Sequence, residues 1–510
     1  MTMTFREIDI TSNVPGEYME TVFDLAAATE KPYLLLLIGQ MITGEGATAN
    51  EVIEVSREDY ARVGFGSGSQ LCDMYLEAKK AWPRASIHCL PLADPDGGAK
   101  AAGTITFVGT ATKNHSLTVY VGDIGATVNV LKDDTAADVA TDVAAAFAAA
   151  LKPDSPATVA VNGEVDEQLD ITAKNAGVLG NDIMLYVKYS ELGAGVTDTV
   201  VDMASGSGTV DLSTEAIATA IKQSGRNYLG FGVNDATNGG EIDDILTHLW
   251  HGMVGKPTVA SMGSSAAYAD LVTLGTSTDA KHLVIVGEPS AATPWWKKAA
   301  YYIAERARRD ALVSCADALQ NHRVKNWLPA WSKSDWLSLD EGEVDTLLKR
   351  GITPVLADAN GVPQIVLDVW SKCKDDDGNY LGSQFMTRSG ILARRHYLVL
   401  ARWKRARFGD ENWQRRVVTK PVEVEVGDGT IMQSDQSKAF ALMAYDQDKI
   451  LENEEKILNY VEDLGFENYE HQVISYEEGK IGVASTVYPA PPLIVVAAQQ
   501  RASNRPPEEV

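Results

Sequence analysis

Cysteine is scarce in this chain. Cys72, Cys89, Cys315 and Cys373 are spread over 510 residues, and no two form a C-x-x-C pair. That spacing argues against structural zinc and a thioredoxin-like motif, and it fits free thiols in a reducing compartment. Long apolar runs are also missing. The longest, residues 33–38, falls far short of the roughly 20 residues that span a bilayer, so no membrane insertion is expected. Residues 1–12 are polar and carry Arg6, Glu7 and Asp9, so no secretory leader is expected and synthesis in a cytoplasm follows. Positive charge is in deficit, 45 Lys and Arg against 70 Asp and Glu, for a net charge of −25. A surface of that sign argues against nucleic acid as a partner. The sequence has no G-x-S-x-G, no H-E-x-x-H, no P-loop G-K-S/T and no Cys/His nucleophile pair. No catalytic residue, cofactor or metal is therefore expected.

What is present reads as a multidomain α/β protein, since a chain of this length exceeds a single core. Residues 31–40 (KPYLLLLIGQ) form an apolar run ending near a Gly, as a strand covered on both faces would. Residues 52–55 and 87–92 are further strands, and residues 70–82 a helix stopped by Pro83. At residues 94–99 the character changes. From 99 to 208 short alternating strands (104–108, 117–121, 127–131, 158–161, 169–173 and 182–189) surround one helix. That helix opens at Thr135 with Asp138 in a capping-box position, and Val139, Val143, Phe147 and Leu151 form its stripe. The α/β pattern then resumes, with helices at 213–223, 241–251 and about 294–319 and strands at 228–233 and 282–287. Residues 352–369 read as a hairpin whose Asn360-Gly361 pair suits a type I′ turn. Helices follow at 384–407 and 446–462, then strands at 472–476 and 481–487.

The expected organisation is an N-terminal arm (1–25), an α/β core in two parts (26–98 and 209–350), an inserted α+β domain (99–208), a C-terminal domain (351–488) and a C-terminal arm (489–510). Both arms carry short strand candidates set off by proline: Tyr18, Met19, Val22 and Phe23 behind Pro15, and Leu493, Ile494, Val495 and Val496 behind Pro489, Pro491 and Pro492. A strand with no neighbour in its own chain leaves its N–H and C=O groups unpaired. Such arms suggest a subunit that adds strands to the sheets of other subunits.

Several local features invite a functional reading. Residues 64–69 (GFGSGS) precede a helix, but Ser69 stands where G-x-G-x-x-G needs a third Gly, so a helix entry capped by Ser69 fits better than a phosphate cradle. Asp244, His248 and His251 share a helix face, which suits histidines in the last turn better than a metal site. Trp295 and Trp296, with Trp327, Trp331 and Trp336, read as core or interface anchors before a ligand platform. The stretch 393–416 is strongly basic within an acidic protein, either a solvated helix face or a contact with an acidic partner or neighbouring subunit. Cys373, between Lys372 and Lys374 in the polar KCKDDDGN stretch, is expected to be exposed and reactive.

Together the segments KPYLLLLIGQ, GFGSGSQLCDMYLEAKKAWP, IHCLPLADPDGGAKAAGTITFVGTAT, DITAKNAGVLGNDI, LLKRGITPVLADANGVPQIVLDV and PPLIVVAAQQR resemble the tail sheath proteins of contractile-tailed bacteriophages, of the Mu-like type. They run in the expected order over most of the chain. The resemblance implies a structural subunit, not an enzyme. It implies homohexameric rings stacked in a helical array around a tail tube protein, with baseplate and tail terminator proteins at the ends. The place of action would be the virion tail, after assembly in the host cytoplasm. On that reading the arms hold neighbouring subunits together while contraction drives the tube through the host envelope. The inserted domain would face outward and the C-terminal domain the tube. Arg394, Arg402, Lys404, Arg405 and Arg407 become tube-contact candidates, and Cys373 a candidate for an intersubunit disulfide. The alternatives are the sheath of a pyocin-like or type VI-like device, or a nucleotide- or sugar-handling α/β enzyme.

Overall fold

A computed structural model describes residues 34–149, 154–250, 258–312, 319–329, 339–374, 378, 380, 424–426, 430–432, 468–477 and 480–488. All of these belong to one compact unit, Tyr33–Val510.

Nine strands form the central sheet: β1 (Leu35–Gln40), β2 (Ile53–Val55), β3 (Ile87–Leu92), β11 (Tyr228–Phe231), β12 (Val259–Ser264), β13 (Leu283–Gly287), β14 (His322–Arg323), β15 (Ile352–Ala357) and β16 (Pro363–Ile365). Their order is β14-β16-β15-β13-β12-β11-β1-β3-β2. The six from β3 through β1 to β15 run parallel. Every residue of β1 and β3 is buried, which is why neither shows polar alternation. The pleat sends Leu35 and Leu37 into one apolar layer and Leu36 and Ile38 into the other. The first layer is closed by α2 (Gln70–Ala81) and α7 (Trp295–Leu312), which pack along each other. The second is closed by α4 (Glu215–Gln223), α5 (Ala236–Trp250), α6 (Tyr268–Thr278) and α8 (Glu341–Lys349). Ser69 caps α2 by accepting from the Cys72 N–H (3.2 Å). Asp340 and Glu343 form a capping box on α8. A further helix, α1 (Glu58–Phe65), links β2 to α2.

Between β3 and β11 the chain contributes nothing to this sheet. It builds two antiparallel sheets instead: β10-β4-β8-β7 from β4 (Ala102–Gly109), β7 (Ala157–Val161), β8 (Gln168–Ala173) and β10 (Val196–Ala204), and β6-β5-β9 from β5 (His115–Val121), β6 (Ile124–Val130) and β9 (Leu185–Tyr189). Between them lies α3 (Ala136–Ala148), with the Thr135–Asp138 capping box in place and Val139, Val143 and Phe147 buried. The two ends of this segment meet where Ala99 and Ser207 exchange backbone hydrogen bonds (3.0 and 3.1 Å).

Two expectations are corrected. The boundary at residue 351 falls inside the central sheet, because β15 pairs in parallel with β13 and carries β16 with it. The 358–362 loop is not a type I′ turn, since φ is positive at Gly361 (76°) but not at Asn360. Asp358 organises it: its backbone carbonyl accepts from Gly361 N–H (2.8 Å), and its Oδ1 accepts from the N–H groups of Asn360 and Val362. One left-handed glycine after a tight turn produces a bulged hairpin. Beyond residue 380 two antiparallel hairpins are defined, β17 (Val424–Val426) with β18 (Thr430–Met432), and β19 (Asn468–Glu477) with β20 (Lys480–Tyr488). The helices expected at 384–407 and 446–462 lie outside the described residues.

Candidate functional site

The sheet order places a topological switch at β1. The chain passes from β1 to β3 on one side and later returns to β11 on the other. In open α/β sheets the crevice beyond the carboxyl ends of such strands is where ligands bind. In this protein the inserted segment fills it. Asn175, from the loop after β8, is buried there. Its Oδ1 accepts from the backbone N–H of Gln70 at the first turn of α2 (2.9 Å), and its Nδ2 donates to Met41 O (3.0 Å) and Asp94 Oδ1 (2.9 Å). Gln40, the last residue of β1, donates to the same Asp94 oxygen (2.8 Å) and to Ala176 O (2.9 Å), while Asp94 Oδ2 takes the Ala176 N–H (3.0 Å). Gln70 completes the set. Its Oε1 accepts from Gln40 N–H, and its Nε2 donates to Gly232 O beyond β11 (both 2.9 Å).

The glycine-rich entry to α2 follows the same logic. An anion would be met by N–H groups at this helix start; the carboxamide of Asn175 takes one of them. Gly66 and Gly68 have φ of 84° and 78°. A Cβ on Gly68 would stand 2.1 Å from the carbonyl oxygen of Ser155 in the inserted segment. Lys174 Nζ donates to Ser67 O (2.8 Å) across the same junction. The glycines therefore permit close approach of two parts of one chain. Gly68→Ala should lower stability by about 2–4 kcal/mol, combining a left-handed alanine with a backbone clash. Urea denaturation of the full chain measures this, and a loss below about 1 kcal/mol would contradict it.

Charge reinforces the junction. Arg62 of α1 holds Asp154 through Nε and Nη2 (both 3.0 Å). At the start of α7, Trp295 Nε1 donates to Asp182 (2.8 Å), which also accepts from Asn234 (3.1 Å). Lys297, buried, meets Asp123 of the β5–β6 turn at 2.7 Å and Asp73 of α2 at 3.5 Å. Trp296 Nε1 donates to the same Asp73 (3.3 Å). Burial pushes Asp73 up to about 6 against the pull of Lys297, and Asp123 pushes the same way as burial. Burial also opposes the charge of Lys297, but Asp123 and Asp73 outweigh it and hold the ammonium above the usual lysine range. Next in the helix, Lys298 pairs with Glu288, both buried, and lies 5.8 Å from the Trp327 ring. A cleft of about 580 Å³ opens beside this junction, lined among others by Ile42, Arg62, Val63, Lys100 and Lys174.

Trp295, Trp296 and Trp327 are buried anchors, and Trp327 donates to Glu77 (3.1 Å); Trp331 and Trp336 lie outside the described residues. Asp244 and His248 sit on an exposed face of α5, His251 is not described, and among the described residues no group of three His, Cys, Asp or Glu could hold a metal. The expected exposure of Cys373 is corrected: the residue is buried. Asp279 draws its neighbourhood inward, accepting from the N–H groups of Cys373 (2.7 Å) and Lys374 (2.9 Å) and from Lys372 Nζ (2.8 Å). Burial, then the Asp279 charge, pushes the thiol up to about 11, so the flanking lysines do not make it a thiolate. The arm residues Tyr18, Met19, Val22, Phe23, Leu493, Ile494, Val495 and Val496, and the basic residues Arg394, Arg402, Lys404, Arg405 and Arg407, lie outside the described residues.

No family model matches the sequence. The chain is 26% identical over 395 residues to the Mu-like prophage FluMu tail sheath protein of Haemophilus influenzae, covering 75% of this chain and 78% of that one. Solved structures with a similar course include a sheath tail protein of Desulfitobacterium hafniense (14% identity, 79% of this chain and 86% of that one, TM-score 0.39). A sheath tail protein of Listeria innocua (11%, 89% and 94%, TM-score 0.39) and a chain of the anti-feeding prophage baseplate (10%, 94% and 96%, TM-score 0.41) are comparable. Scores of that size leave the functional reading to the relative found by sequence.

Proposed function

We propose that this chain is a tail sheath subunit of the Mu-like type, polymerising as stacked hexameric rings around a tail tube and contracting to drive that tube through an envelope. The observation that carries the reading is the 26% identity over 395 residues to a prophage tail sheath protein. That relative is a structural protein, and this chain is a structural protein of a phage-like contractile device, not an enzyme.

The physical chemistry agrees. The crevice where a doubly wound sheet would hold a substrate is filled by Asn175 and its partners. The inserted segment is fixed to the core by buried hydrogen bonds and ion pairs, as suits a body that moves as a unit while its neighbours rearrange. Long β19 and β20 pair with each other, and among the described residues no third strand joins them. A two-stranded ribbon gains from a further strand. In this reading the arms at 1–25 and 489–510 supply strands to neighbouring subunits. About five net hydrogen bonds at roughly 0.5–1.5 kcal/mol each would hold every junction. The basic stretch 393–416 faces the tube or a neighbouring sheath subunit, and baseplate and terminator proteins cap the array.

Negative-stain microscopy of the purified full chain tests the proposal. Tubes or stacked rings are expected. Deleting residues 492–510 should leave a folded subunit that forms none. Monodisperse monomers from the full chain at all concentrations would overturn the sheath reading; normal tubes from the truncation would overturn the arm.

A further inference from the structure

Lys297 is where three elements of different origin meet. It rises from the first turn of α7 into a buried space between α2, which supplies Asp73, and the β5–β6 turn of the inserted segment, which supplies Asp123. Two carboxylates face one ammonium, and all three side chains are at most 10% exposed. One negative charge is therefore left over inside the joint. The surroundings offset it only in part: Lys298, the next residue of α7, acts on Asp123 but is itself paired with Glu288. The Trp296 indole N–H reaches Asp73 from α7. Asp154 acts on Asp73 from the inserted segment and Glu77 on Lys297 from α2, and both add negative field. Cys72 is neutral, since burial pushes its thiol up to about 12. Lys174 feels Asp73, but its Nζ is engaged with Ser67 O. Arg62, farther along, is engaged by Asp154.

We propose that Asp73, Lys297 and Asp123 form a proton-responsive latch that tightens the hold of the inserted segment on the core as the surroundings acidify. A proton on Asp73 removes the surplus charge and leaves a matched Lys297–Asp123 pair. The step is a proton transfer from hydronium to an Asp73 carboxylate oxygen, forming one O–H bond, breaking another and releasing water.

The direction is fixed by linkage. Asp73 is held at about 6 when docked, above the roughly 3.9 of an exposed aspartate. Such a group favours the docked state below its solvent value and loses that contribution as pH rises through its docked value. Undocking should thus be hardest below about pH 4 and easiest above about pH 7. With those two values the opening equilibrium falls about tenfold from pH 8 to pH 5.

Hydrogen exchange of the full chain reads this at the amides of residues 121–124, after correction for intrinsic rates. The wild type should lose about tenfold in opening between pH 8 and pH 5. Asp73→Asn keeps an acceptor for Trp296 and should be flat over that range. Asp123→Asn, which removes the competing carboxylate, should move the midpoint to lower pH. A flat wild type, an equal slope in Asp73→Asn, or an unmoved midpoint in Asp123→Asn would each overturn the latch. Should Asp73→Asn fail to fold, the Asp123→Asn midpoint decides alone.

Discussion

Asn175→Ala should destabilise the protein by about 3–4 kcal/mol, although it deletes no apolar side chain. The substitution removes three hydrogen bonds at once and lets nothing replace them. Gln70 N–H loses its acceptor and Met41 O a donor inside a buried crevice, while Asp94 Oδ1 loses one of two donors and keeps Gln40 Nε2. Each orphaned group costs about 1–3 kcal/mol, with partial relief where water enters. Asn175→Asp should be no better, because a second carboxylate would then face Asp94. Chemical denaturation followed by tryptophan fluorescence measures both, and a loss under about 1 kcal/mol for Asn175→Ala would mean that the crevice does not depend on this residue.

Lys297→Met should be comparably severe, about 3–5 kcal/mol at neutral pH. It keeps the stem and removes the ammonium, so Asp73 and Asp123 remain buried without the ion-pair partner they share. The cost should shrink on acidification, because Asp73, already pushed up by burial, can then take a proton. The triple variant Lys297→Met, Asp73→Asn, Asp123→Asn should recover most of the loss, since replacing a whole buried ion group is far cheaper than breaking it. If the triple variant is as unstable as the single one, packing around the methylene stem rather than charge explains the effect.

The elements most legible in the sequence were those whose burial is written in local pattern. KPYLLLLIGQ is apolar on both faces because β1 lies mid-sheet, and the Thr135–Asp138 box marks the start of α3. Elements carrying small residues escaped. β12 reads VASMGS, with no β-branched run, although every residue is buried. α6 reads YADLVTLGTST, poor in helix formers and held by packing. α5 begins at Ala236 rather than near 241, because Gly239-Gly240 hides its first turns from propensity. Gly239 is there for contact: a Cβ would press on the Thr278 side chain at 2.8 Å. The polar cluster that fills the crevice is illegible for another reason. Gln40, Gln70, Asp94 and Asn175 are ordinary polar residues whose role arises only when parts remote in sequence converge. Cys373 shows the converse error, a thiol judged by its flanking lysines when Asp279, far upstream, decides its surroundings.

The placement of β1 also bears on how the chain is made. Its partner on one side, β11, emerges from the ribosome only after β3 and the whole inserted segment. At about 5–20 residues per second that delay is roughly 10 to 40 s, during which one edge of a largely apolar strand has no parallel neighbour. The inserted segment needs no such wait, because all of its strands pair among themselves. It can fold first and present Asn175 to the growing sheet before β11 arrives.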